Sequence, residues 1–155
     1  NEIVMERISI EQRLQLLEDK EAIKDITYQY ALNINQGWNG ITINSNALSE
    51  VFAENAIWES PRMNIREVGL GNIIKNLVTE TQTVLFAMHS YSNPVIKING
   101  NLATGNWLFW VVSKMEKDKT NQVFMSQDIE YTNTTNGWRI NSVRLHFGDI
   151  VKNKI

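Results

Sequence analysis

Cysteine is absent from this chain of 155 residues, so disulfide bonds and thiol chemistry are both excluded. Proline occurs only twice, and no apolar run approaches the roughly 20 residues that a membrane-spanning helix needs. A strong charge of either sign is also lacking, because the formal net charge is only −2. Such a balance gives no electrostatic reason to expect nucleic acid or a membrane as a partner. Residues 1–10 show no secretory-signal pattern, so we expect a cytoplasmic protein.

The composition is that of an ordinary globular protein, with 43% hydrophobic and 21% charged residues. The length suits one domain, and we expect a single domain over residues 1–155 with its core at about 10–148. The sequence contains no P-loop, dinucleotide-binding fingerprint, nucleophile elbow or zinc-protease helix. We therefore expect no cofactor.

The first third of the chain has a helical pattern. Apolar residues recur at helix spacing from Ile10, and Asp19 is a plausible N-cap that would divide the pattern into two helices. The second of these is predicted to end at 35–37, where asparagine and glycine favour a C-cap. The pattern then predicts, in order, a polar loop (38–46), a short helix (48–52), a short strand that Pro61 ends (56–59) and a third helix (72–84).

The second half of the chain has a strand pattern. Asn-Gly pairs, the strongest short hairpin signal, occur at 99–100 and 136–137. The pattern predicts four strands, at 88–98, 102–115, 122–133 and 138–148. The run 106–112 is apolar on both faces, so its strand is predicted to be central and covered on both sides. Helices followed by an antiparallel meander predict an α+β fold.

Two histidines are candidates for general base, the role for which histidine is best suited near neutral pH. Period-two alternation places His89, Tyr91 and Asn93 on one face of the first long strand. His146 ends the last strand, on the face of Trp138 unless a β-bulge intervenes. Each histidine could instead be structural, held by a backbone or side-chain partner. We expect no metal site, because no carboxylate lies at ligand spacing from either histidine.

Five further side chains have both a structural and a functional interpretation. Tyr30 lies on an apolar helix stripe, and it is either a core residue or a hydrogen-bond donor that faces a cavity. Asn35 lies near the end of the same helix, and it is either the helix C-cap or a residue of the pocket. Asp128 lies in mid-strand, where a carboxylate usually faces solvent but could point inward from a cupped sheet. Trp58 and Trp107 are core residues or walls of an apolar pocket.

Four segments of the chain resemble SnoaL-like proteins of the nuclear transport factor 2-like superfamily. They lie at 17–31, 48–58, 89–107 and 137–140, and the third (HSYSNPVIKINGNLATGNW) is the most specific. The resemblance extends over about residues 10–148. It implies a cone in which a curved antiparallel sheet wraps on three N-terminal helices and encloses an apolar pocket. It also implies a homodimer formed through the sheet.

The family includes dehydratases, a dehydrochlorinase, isomerases and many non-catalytic binding proteins. The resemblance implies that His89 is the base and Tyr30 an acid or hydrogen-bond donor. Its enzymes pair the histidine with an aspartate, and that position here is Asn35. A neutral amide orients an imidazole but does not stabilise its charged form as a carboxylate does. Asp128 is the strand carboxylate that could substitute; if it lies outside the pocket, binding without catalysis is favoured.

The resemblance, together with the residue patterns, implies three possible functions. The first is a lyase or isomerase that removes a proton beside a leaving group or carbonyl, acting on a small apolar organic substrate. The alternatives are a non-catalytic protein that binds such a ligand, and a structural or partner-binding domain that uses the open sheet face. The catalytic candidates are His89, Tyr30 and Asn35. The candidates for substrate contact are Trp58, Tyr91, Asn93, Trp107, Asp128 and His146.

Overall fold

The first helix, α1 (Ile10–Asn33), runs without interruption in this computed structural model, which describes residues 8–154, apart from the Lys154 side chain. Ser9 caps it: the Ser9 hydroxyl accepts from the Gln12 amide at 3.1 Å, and the Gln12 side chain accepts from the Ser9 amide at 2.8 Å. The predicted break at Asp19 is wrong, because no glycine or proline interrupts the helix there. The Asp19 carboxylate instead accepts a 2.9 Å hydrogen bond from Trp138 Nε1, which ties α1 to the last strand.

The remaining elements agree with the predicted order, with three local differences. They are α2 (Ser45–Leu48), β1 (Phe52–Ser60), a 3-10 turn (Pro61–Met63), β2 (Ile65–Val68), α3 (Leu70–Gln82), β3 (Phe86–Asn99), β4 (Leu102–Glu116), β5 (Lys119–Thr134) and β6 (Gly137–Lys154). The short helix begins inside the predicted polar loop, and Phe52 belongs to β1 rather than to a helix. Strand β2 was not predicted. No helix in the described part of the chain combines the length and apolarity that a membrane crossing requires.

The six strands form one curved, unclosed sheet in the order β2-β1-β6-β5-β4-β3. The two predicted hairpins are confirmed, and Gly100 and Gly137 have φ values of 59° and 93° at their turns. All strand pairs are antiparallel except β1 with β6, which is parallel, so the sheet is mixed. The predicted α+β cone is confirmed.

The helices pack on one face of the sheet only, so the two faces differ. On β4 the side chains of Ala103, Trp107 and Phe109 are buried between sheet and helices. Leu108, on the other face, is 51% exposed. The strand is central in the sheet, but the prediction that it is covered on both sides is wrong for the single chain. We call the two sides the inner and the outer face.

Candidate functional site

The inner face of the sheet encloses a cavity of about 680 Å³ with the end of α1 and one side of α3. Most of its wall is apolar, and the inward side chains of β3, β4, β5 and β6 contribute to it. Tyr30, Trp58 and His89 all lie in this wall. A second concavity of about 610 Å³ lies beside α2 at residues 32–46, and it contains none of the predicted site residues.

His89 is held by the side chain of Asn35. The Asn35 Oδ1 atom lies 2.9 Å from His89 Nδ1 and also accepts a 2.8 Å hydrogen bond from the His89 backbone amide. Because this oxygen can only accept, Nδ1 carries the ring proton, and Nε2 keeps a free lone pair. Burial lowers the pKa of His89 to about 4, since apolar surroundings disfavour the charged ring. The imidazole is therefore neutral at pH 7.

Backbone contacts place Asn35 opposite His89. The amides and carbonyls of Gln36 and Ala87 exchange two hydrogen bonds, of 3.0 and 2.9 Å, which dock the end of α1 on the start of β3. Gly37 allows this approach, because a Cβ there would lie 1.9 Å from a backbone oxygen of the segment before β3. Asn35 follows the helix, which ends at Asn33, and is only 5% exposed. The prediction that Asn35 lines the pocket is wrong, because it is not in the cavity wall: it lies behind His89 as a buried hydrogen-bond partner, and it is not the helix C-cap.

Tyr30 lies in the wall of the same cavity as His89. It accepts a 2.9 Å hydrogen bond from Trp58 Nε1, and no group in the described part of the chain accepts its own proton. Burial raises the pKa of Tyr30 well above its ordinary value, so the phenol stays protonated. It is therefore a neutral donor that is free to bond to a molecule in the cavity.

Tyr91 lies behind the cavity wall. It is 8% exposed, and its hydroxyl donates a 2.6 Å hydrogen bond to Gln127 Oε1. Gln127 itself lines the cavity and was not among the predicted site residues. Alternation along β5, where Met125 and Ile129 are buried on either side of it, is the sequence signal that could have identified it.

Trp107 belongs to the core and does not line the cavity. Its Nε1 donates at 2.9 Å to the hydroxyl of Tyr131, which lies 2.7 Å from Thr27 Oγ1. Thr27 in turn donates to the Ile23 carbonyl at 2.8 Å, so every member of this buried network has a partner. A Cβ at Gly105 would lie 2.7 Å from Trp107 Nε1, so the ring fills the space beside a glycine.

The structure places the other three predicted contact residues outside the cavity. Asn93 is exposed, with a φ of 52°, in a β-bulge that interrupts the alternation after His89. A second bulge, in β6 between positions 140 and 142, turns His146 to the outer face. There it pairs with Asp128 at 2.8 Å. Hydrogen bonds from Asn106 and then from His146 lower the pKa of Asp128. Asp128 therefore cannot support His89 from across the cavity.

Comparison with known proteins identifies the fold. Solved structures with this fold include a type 2 hexachlorocyclohexane dehydrochlorinase, LinA, with a TM-score of 0.80, 11% identity, and coverage of 91% of this chain and 93% of that one. An NTF2-like protein with a cystatin-like fold from Novosphingobium aromaticivorans has a TM-score of 0.79, 19% identity, and coverage of 94% and 92%. A candidate scytalone dehydratase from the same organism has a TM-score of 0.78, 14% identity, and coverage of 93% of each chain.

The sequence comparisons show which family the chain belongs to, but they do not show an activity. No functionally curated protein matches the chain significantly in sequence. The family model of the SnoaL-like domain matches residues 15–144, which is most of the chain. The matched part extends from α1 into β6 and contains Tyr30, Trp58, His89 and Gln127, whereas the cavity residues of β6 lie beyond it. The chain belongs to the SnoaL-like domain family.

Proposed function

We propose that this protein binds a small, mostly apolar organic molecule in the cavity and acts on it as a lyase or isomerase. The observation that carries the proposal is the pairing of a free acceptor, His89 Nε2, with a free donor, the Tyr30 hydroxyl, in the wall of one cavity. Two structural neighbours, described as a hexachlorocyclohexane dehydrochlorinase and a candidate scytalone dehydratase, support a reaction that removes a proton and a leaving group.

In the proposed reaction His89 Nε2 takes a proton from carbon. The C–H electron pair forms a double bond as the leaving group departs from the adjacent carbon with its bonding electrons, or it forms an enolate if that carbon is a carbonyl. Tyr30 donates a hydrogen bond to the leaving group or to the carbonyl oxygen. A base whose pKa is about 4 is weak, so the substrate must have an acidic C–H bond.

Binding without turnover is the competing function, and the position of Asp128 outside the cavity moves it forward, whereas the free His89 Nε2 atom and the Tyr30 donor favour catalysis. Two observations favour it: the partner of His89 is a neutral amide, and Asp128 lies on the outer face of the sheet. If His89 took up a proton, its charged ring would be stabilised only by the dipole of the Asn35 amide, which stabilises it less than a carboxylate would. The same cavity serves both functions, so only the chemistry separates them.

Exchange of substrate protons tests the proposal. The protein is incubated in D₂O with a cyclic ketone, and loss of the proton beside the carbonyl is followed by NMR. In parallel, chloride release is measured with a polychlorinated cyclohexane. Catalysed exchange or elimination that His89→Ala abolishes supports the enzyme. His146→Ala is the matched control, because it removes the outer-face histidine and is expected to have no effect.

The outcomes separate the two functions. Binding of a probe without exchange or elimination rejects the lyase and leaves the binding function. Activity that persists in His89→Ala, with the fold intact by circular dichroism, rejects His89 as the base. Native mass spectrometry of the purified protein would show whether a small molecule copurifies, and its mass would identify the ligand.

We also propose that two copies associate through the outer face of the sheet. Leu108 and Phe124 are 51% and 41% exposed there, and the Trp110 and Phe124 rings stack with centroids 6.4 Å apart. Contiguous apolar surface of this kind is typical of a protein interface. A cytoplasmic location and the lack of a cofactor stay predictions.

A further inference from the structure

One arginine in the cavity wall has no role in the reaction proposed above. Arg62 lies in the 3-10 turn after β1, and it is exposed and lines the cavity, so it lies where the cavity opens to solvent. The Arg62 Cζ atom lies 5.3 Å from the centre of the Phe147 ring, which lines the cavity as well. A guanidinium over an aromatic ring is attracted by the π electrons of the ring. This contact holds the cation at the cavity wall.

The backbone of the turn also restricts the position of Arg62. Pro61, the first residue of the turn, has a restricted φ angle, and its carbonyl accepts a 3.1 Å hydrogen bond from the Asn64 amide. Asn64 has a φ of 54° and ends the turn, and β2 follows directly and pairs with β1. Because a short closed loop presents Arg62, little conformational freedom is lost when this side chain binds a ligand.

No carboxylate neutralises Arg62 within residues 8–153, whose side chains the structure describes. Glu59, three residues earlier, binds two other arginines: Arg66 at 2.9 Å, and Arg144. The cavity wall contains a carboxylate of its own, Glu80, but it forms no ion pair within the same residues. The guanidinium of Arg62 therefore keeps N–H groups that a ligand can use.

We infer that Arg62 binds a carboxylate group of the ligand. This assignment rests on the binding function proposed above and names the ligand class of the same cavity. A guanidinium presents its N–H donors in one plane, in a geometry that matches the two oxygens of a carboxylate. Arg62 and Lys152 contribute two positive charges to the wall and Glu80 one negative charge, so the net charge there is +1. The whole chain carries −2, so a preference for acids would come from the wall rather than from the protein as a whole.

The sheet determines how far the carboxylate lies from the proposed base. Arg62 lies over Phe147 of β6, whereas His89 belongs to β3, and β5 and β4 lie between these two strands. Three strand spacings of about 4.8 Å give roughly 14 Å, and the curvature of the sheet shortens the direct distance. The ligand therefore has an apolar body of about two linked rings, with its reactive carbon at one end and its acid group at the other.

The test compares biphenyl-4-carboxylate with biphenyl-4-carboxamide, which have nearly the same shape and differ in charge. Their affinities for the wild type and the Arg62 variants are measured by calorimetry at pH 7 and low ionic strength. The wild type should bind the carboxylate more tightly than the amide. Arg62→Met should weaken carboxylate binding about 10-fold, or about 1.4 kcal/mol, and amide binding by less than about 3-fold. Arg62→Lys keeps the charge without the planar donors, so it should recover part of the affinity.

Arg66→Met is the matched control. It removes the same charge four residues away, but Arg66 is bound to Glu59 and does not line the cavity. Both affinities should be unchanged in this variant. Salt gives a second readout, because about 0.5 M salt screens an exposed ion pair. It should weaken carboxylate binding in the wild type but not in Arg62→Met, and the wild-type response tests the assignment without any variant.

The outcomes distinguish the role of Arg62 from the function beneath it. Equal affinities of the wild type for the two compounds would overturn the role of Arg62 while binding stands. So would an equal loss of carboxylate affinity in Arg62→Met and Arg66→Met, or an equal loss of both compounds in Arg62→Met. If the wild type binds the neutral ketone tetralone but neither biphenyl, the acidic ligand class is rejected. If it binds none of the three compounds, the binding function itself is rejected.

Discussion

The substitution Asn35→Asp places a carboxylate where the amide oxygen now lies 2.9 Å from His89 Nδ1. The charge centres of the two groups would then be about 4 Å apart, which at an effective dielectric constant of about 20 gives an attraction of about 4 kcal/mol. That energy corresponds to roughly 3 pKa units. The cost of charging a side chain that is only 5% exposed offsets part of it. We expect the pKa of His89 to rise from about 4 to between roughly 5 and 7.

The assay is a pH titration of the imidazole nitrogens by two-bond ¹H–¹⁵N NMR. Asn46→Asp is the matched control, because it makes the same change on an exposed position of α2 and should leave His89 unchanged. Above the new pKa, Asn35→Asp leaves a buried carboxylate beside a neutral ring. The variant should therefore be less stable at pH 8 than Asn46→Asp. Any proton-transfer activity should increase, since the carboxylate stabilises the imidazolium.

An unchanged titration of His89 in Asn35→Asp would refute this reasoning. It would mean that the two side chains are not partners in solution, and the dyad would have to be abandoned. A raised pKa without any change in exchange activity would keep the partnership and favour the binding function over the lyase.

Three further predictions follow from the described contacts. Between pH 6.5 and about 4, His89 is protonated only in the unfolded chain. The free energy of unfolding should therefore fall by up to about 3 kcal/mol as the pH falls through that window. Urea denaturation should show this decrease in the wild type but not in His89→Gln. Gly105→Ala drives a methyl group against Trp107 and should lower the free energy of unfolding by about 1–3 kcal/mol in the same assay, whereas an unchanged midpoint would contradict the packing. Light scattering should give about twice the 17.9 kDa of one chain, and Leu108→Glu should halve that mass; a wild-type monomer at micromolar concentration would reject the dimer.

Local patterns in the sequence predicted most of the fold, and each error has an identifiable physical cause. The hairpins follow from Asn-Gly pairs, and α3 follows from its apolar stripe. Asp19 was misjudged as a cap because a capping residue is also tolerated inside a long helix that has a stronger cap at Ser9. The parallel pairing of β1 with β6 joins distant parts of the chain, so no turn motif in the sequence predicts it.

The candidate site was predictable only as far as strand alternation is regular. Tyr30 and His89 lie in the cavity wall, at positions that helix and strand periods allow. The bulges that turn Asn93 and His146 away leave no clear mark in the sequence. Asp128 was chosen as a candidate because it carries a charge, but its neutral neighbour Gln127 is the residue that points into the cavity.

The most direct test of the account is the tautomer of His89 and its response to a ligand. Two-bond ¹H–¹⁵N NMR at pH 7 should show a neutral ring protonated at Nδ1, as the contact with Asn35 requires. Addition of tetralone should move the His89 Nε2 resonance, while the resonances of His146 on the outer face stay in place. A ring protonated at Nε2, or a ligand that shifts neither histidine, would contradict the proposal that His89 presents a free lone pair to a ligand-binding cavity.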